Sequence, residues 1–145
     1  MLVLPVGSIY ADQAHYHASV PILMLLGKWF VFWSAGVRLL VAGLLQFFQP
    51  RFTSQQIFGI RSDDALPLVR ELGIANFATG IVGIASLAKP SFTLPIAIVA
   101  AIFYGVAGIR HATESGRTRN EIIAMVSDLF VFLVLAAYLV GAGWP

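Results

Sequence analysis

Apolar residues run along this chain in four blocks, each close to the roughly 20 residues that a helix needs to cross a bilayer. The blocks cover Pro21–Phe48 (most apolar over Trp29–Phe48), Leu68–Ala88, Phe92–Arg110 and Arg119–Gly143. Breaker residues fall between them. Pro21 suits a first helical turn, Pro50 ends the first block, and Lys89-Pro90-Ser91 makes a tight reversal between the second and third. The pattern predicts an all-α integral membrane four-helix bundle, up-down-up-down, forming a single membrane domain over residues 1–145. The short reversal predicts that spans two and three are antiparallel neighbours.

The second block, LVRELGIANFATGIVGIASLA, reads as the helix against which the others pack. Gly73, Asn76, Gly80, Gly83 and Leu87 recur every three or four residues and form one seam. Small residues in such a seam let membrane helices approach closely. Ala97, Ala101, Gly105 and Gly108 repeat the device on the third block.

Ahead of the first block, Met1–Ile9 is apolar but too short to span. Pro5 and Gly7 argue against a stable helix, so residues 1–20 read as a leader segment that lies in the membrane interface or packs on the helix ends. No Lys or Arg precedes the first apolar run, and Asp12, His15 and His17 interrupt it. The start therefore does not read as a cleaved signal, and the first span is expected to be retained. Lys28 is expected to snorkel beside an aromatic belt of Trp29, Phe30 and Trp33.

Start signals sharpen the connections. Thr53 with Gln56 resembles a capping box, as does Thr118 with Glu121. Ser62, Asp63 and Asp64 offer cap oxygens for the second span, with Pro67 in its first turn. Capping explains the two aspartates better than metal binding does. Ser91 or Thr93 can cap the third span, with Pro95 in its first turn.

Composition agrees with the pattern. The chain is 59% hydrophobic and 11% charged, with mean hydropathy +0.85, against about half and about a quarter in soluble domains. The net charge of +2 gives no reason to expect nucleic acid. There is no Cys, which excludes disulfides and thiolate chemistry. Arg51, Arg61, Arg70, Arg110, Arg117 and Arg119 lie on the side of the two long loops, and only Lys28 and Lys89 on the side of the termini. The positive-inside rule then predicts a multi-pass protein of the cell (inner) membrane, with loops 49–67 and 110–120 cytoplasmic and both termini outside.

Candidate chemistry is confined to a few polar residues inside the blocks. Arg38 lies about 15 Å from the loop end of its span, Asp128 roughly 13 Å, and Asn76 on the order of 12 Å. Glu71 is about one turn shallower, and Tyr104 can face the same layer. These depths predict a buried network in which Arg38 pairs with Asp128 while Asn76 and Glu71 satisfy the remaining donors. Such a layer is either an ion pair that fixes the helices, or a small-molecule pocket or proton relay.

His111 and Asn120 read as interfacial polar residues, His111 lying near Glu114 in helical spacing. His15 and His17 share a face only in an extended segment and lack further ligands. No metal or cofactor is expected. The three histidines lie near opposite membrane faces, which argues against haem. No catalytic motif is present, so no catalytic residue is assigned.

The stretches ELGIANFATGIVGI and YGVAGIRHATESGRTRN, followed by a late Asp in an apolar helix, resemble an uncharacterised family of small bacterial and archaeal four-helix membrane proteins. The plan is also distantly similar to DoxX-like membrane proteins, which implies a link to membrane redox or quinone-associated complexes. The leading expectation is a structural or accessory membrane protein in contact with the lipid bilayer, with a hydrophobic small molecule of unknown identity in the bundle as an option. A surplus small-residue seam would allow a homo-oligomer. A redox-complex subunit ranks second and an oligomeric transporter of small solutes or ions third.

Overall fold

The computed structural model describes residues 3–15, 20–113, 115 and 119–142. The fold is all-α. A short helix α1 (Val3–His15) precedes α2 (Ile22–Phe48), and a short turn-rich helix α3 opens at Pro50–Phe52. Then follow α4 (Leu66–Ala85), α5 (Thr93–Thr113) and α6 (Arg119–Gly141). The segments carrying α2, α4, α5 and α6 are long and apolar enough to cross a membrane. Their outward faces are apolar too, as at Leu68, Ile102 and Leu133, which suits lipid rather than water.

The hub of the bundle is α2, not α4. It touches α4 along its length, α6 near its start, and α1 and α5 besides. The reason is that α2 carries small residues on one side and a core stripe on another. Gly36, Leu40 and Gly43 meet α4, whereas Leu25, Phe30, Val31 and Ala35 enter the main core. By contrast α4 has one stripe of small residues and so one close partner. A Cβ on Gly80 would stand 2.5 Å from the backbone nitrogen of Leu40, and one on Gly43 2.5 Å from that of Phe77. Leu87, placed on the same seam by spacing, lies past the helix end and is exposed.

The second pairing is α5 with α6. Gly105 lies against the Phe132 ring and Gly108 against Leu129. The expectation that spans two and three are close neighbours fails. Helices α4 and α5 meet only slightly despite their short connection. Each has its small-residue face turned to a different partner, and a cavity opens between them.

Residues 3–15 form a helix, against the expectation from Pro5 and Gly7. Pro5 lies near the start of the described helix, and N–H groups in a first turn have no intrahelical partner to lose. Tertiary contacts hold the helix. Asp12 accepts from Lys28 Nζ at 2.6 Å and Trp29 Nε1 at 2.9 Å, and Ser8 accepts from Trp33 Nε1 at 2.9 Å. The expected belt thus turns two tryptophans towards α1, while Phe30 is buried in the core. The same Asp12 contact holds Lys28, which was expected to snorkel.

Pro21 caps α2 instead of entering it, and α3 starts at Pro50 rather than at the expected Thr53 box. Thr53 is buried and begins a run of π turns to Ile57 without capping by its side chain. Ser62 does cap, its hydroxyl accepting from the Asp64 backbone N–H at 3.2 Å, and Asp63 pairs with Arg51 at 2.6 Å. The turn into α5 opens at Lys89 with no side-chain cap. Residues Met1, His17, Glu114, Arg117, Thr118 and Gly143, named in the sequence analysis, lie outside the described residues.

Candidate functional site in the α4–α5 gap

Arg38 ends an eight-residue π-helical segment, Val31–Arg38, in the middle of α2. Such wide turns are rare, and short ones recur at functional sites. Here one carbonyl of the segment, Ser34, accepts a hydrogen bond from the Tyr104 hydroxyl of α5 at 2.5 Å. Tyr104 is thereby fixed under Arg38, whose guanidinium carbon stands 4.9 Å from the ring centroid. Contact of a cation with the ring face is attractive.

The guanidinium reaches across to α6. Arg38 Nη2 donates to Asp128 Oδ1 at 2.5 Å, with side-chain exposures of 24% and 6%. Asp128 is therefore enclosed, while Arg38 keeps one side open. Ser127 adds a longer bond of 3.4 Å to the same oxygen.

Asn76 is buried but does not join Arg38 directly. Its Nδ2 donates to Gln46 Oε1 on α2 at 2.8 Å. Glu71 is outside the layer altogether, on the exposed face of α4. Five residues separate it from Asn76, which turns it about 140° around the helix. Similar depth brought it into the expected network, but direction removes it.

The polar layer forms the floor of a cavity of about 1000 Å³ between α4 and the α5–α6 pair. Each wall is a helical stripe. Arg38, Ala42 and Gln46 come from α2, Leu72 and Asn76 from α4, Tyr104, Ala107 and His111 from α5, and Glu121, Ala124 and Asp128 from α6. Ser115 and Arg110 stand at the loop end. His111 is partly exposed there. Asn120 lies in the first turn of α6, and its side chain is outside the described part.

Towards the termini the cavity is closed by a buried apolar layer that includes Phe30, Val31, Ala97, Ala100 and Leu135. A separate cleft of about 370 Å³ beside Lys28, Ser86 and Tyr138 lies beyond that layer. The large cavity thus does not run on through the core towards the termini. Gln46 is a wall residue that sequence reasoning missed. Its place eight residues after Arg38, with Ala42 between, was the available signal, since such positions share a helix face.

A model of a family of unknown function, DUF6790, matches residues 1–142. No curated protein and no solved structure matches the chain.

Proposed function

Because the chain belongs to the DUF6790 family of unknown function, we propose its role from the cavity: a non-catalytic, multi-span membrane protein that holds a hydrophobic small molecule between α4 and α5. The observation that carries this reading is the cavity itself, closed towards the termini, apolar at Leu39, Leu72 and Ile102 and polar at its floor. Ligand sites commonly combine apolar walls with a few convergent polar groups. A closed end supports storage or presentation of a ligand over passage through the monomer.

Native mass spectrometry from lipid nanodiscs tests this. The wild type retains a small-molecule adduct, and Ala107→Trp, which fills the cavity, loses it. Equal retention by both would overturn the reading.

The orientation we propose puts the cavity mouth in the cytoplasm. It rests on the arginines of the two long loops, against Lys28 and Lys89 at the other end. The chain has no Cys, so a single cysteine placed at Ser115 reports its side by labelling of intact cells and inverted vesicles. Labelling of intact cells by an impermeant reagent would reverse the assignment.

A further inference from the structure

The ligand's chemistry can be read from the hydrogen-bonding groups left over on the cavity floor, on the premise that the cavity binds a small molecule. A guanidinium has five N–H donors. Arg38 directs Nη2 to Asp128 and has its open side on the cavity. Gln46 uses its carbonyl oxygen to receive Asn76, which leaves its amide N–H groups on the same wall. Asn76 Oδ1 and the second Asp128 oxygen are acceptors on the same floor, so the open N–H groups of Arg38 and Gln46 stand there beside open acceptors. A ligand that uses the donors must bring an acceptor oxygen.

Charge narrows the class. Arg38 and Asp128 already neutralise each other, and Arg110 and Glu121, which line the cavity towards the loops, carry opposite charges as well. A carboxylate or phosphate beside them would leave net negative charge deep in an apolar bundle, where an unbalanced charge is expensive. A neutral carbonyl adds no charge and accepts from the Gln46 amide. Geometry sets the rest. Helices α4 and α5 barely meet, and the cavity wall there is formed by Leu72, Ile102, Phe103 and Val106. Ile102 and Val106 are each 63% exposed. An apolar opening of this kind faces the bilayer and admits a chain sideways.

We propose that the cavity binds a neutral, carbonyl-bearing lipid: its carbonyl oxygen accepts from the Gln46 amide, above the mutually neutralised Arg38 and Asp128, and its hydrocarbon chain leaves through the α4–α5 gap.

Three photoactivatable probes test this in nanodiscs containing the full chain: a diazirine monoacylglycerol, a diazirine fatty acid and a diazirine alkane. The ester labels residues 102–107 at least about tenfold more than the alkane, a difference worth about 1.4 kcal/mol. It also exceeds the fatty acid at neutral pH. Gln46→Met lowers ester labelling and leaves alkane labelling unchanged. Because that variant can lose stability, a second measurement uses the wild type alone. The isotope-edited stretch of a ¹³C-labelled ester carbonyl moves to lower wavenumber on binding. Equal labelling by alkane and ester, stronger labelling by the fatty acid, or an unmoved carbonyl band overturns the ligand class but leaves cavity binding standing. No cavity labelling by any probe overturns both.

Discussion

Gly83 of α4 lies against Gly36 of α2 so closely that a Cβ on Gly83 would stand 2.6 Å from the Gly36 backbone nitrogen. Backbone cannot swing aside as a side-chain tip can. The contact therefore locks two spans together, and it lies within the π segment that leads to Arg38.

Gly83→Ala and Gly80→Leu should each destabilise the protein, the first by about 1–3 kcal/mol and the second by more, as overpacked cores do. Gly7→Ala is the contrast. Nothing lies within 4 Å of a Cβ there, and alanine raises helix propensity by up to about 1 kcal/mol. Thermal unfolding in detergent ranks the three. A Gly83→Ala protein as stable as the wild type would refute the close contact.

Breaking the Arg38–Asp128 pair from one side should cost about 3–5 kcal/mol, because a charge is left buried without its partner. Asp128→Leu alone and Arg38→Met alone meet this condition. The double variant should recover most of the loss. Guanidinium or SDS unfolding of all four proteins measures the coupling, and simple additivity would deny the interaction.

Glu71→Gln should leave stability within about 0.5 kcal/mol of wild type, as expected for an exposed position. It should also leave retention of a cavity ligand unchanged. A loss of the retained adduct in native mass spectrometry would return Glu71 to the site.

Lowering the pH should loosen α1 from α2. Hydrogen bonding to Lys28, opposed by desolvation and aided by Trp29, holds the Asp12 carboxyl below its ordinary pKa of 3.8. The stabilisation is complete above that value and is lost as pH falls through the lower, folded-state value. Trp29 donates to the same carboxylate, so its fluorescence should change in that acid range. Asp12→Asn should abolish the transition, and an unchanged titration in that variant would assign it elsewhere.

The depth of each polar residue was legible in the sequence, because a rise of about 1.5 Å per residue turns position into height. That is why Arg38 and Asp128, 90 residues apart in sequence, could be matched. Direction was less legible. Glu71 shares a depth range with Asn76 but points away from it, as helical geometry alone foretells. For Arg38 the π turns alter the angle per residue, and no local motif announced them. Gln46 was visible as a polar residue on the Arg38 stripe, yet its partner Asn76 lies on another helix. The masking of α1 by Pro5 and Gly7 had a different origin. Propensity reads local cost, while Asp12 and Ser8 gain their partners only when α1 meets α2.

The sequence by itself determined four apolar spans and the small-residue faces on α4 and α5. Those follow from the length of a bilayer and the geometry of one helix at a time. Only the tertiary structure decided that α2 is the hub, that α4 joins α2 while α5 joins α6, and that the space between α4 and α5 stays open. Spans that are apolar on every face carry little hydropathy signal for which side faces inward. Pairing depends on whether small residues on two helices come into register together, a property of the pair that neither sequence segment contains alone.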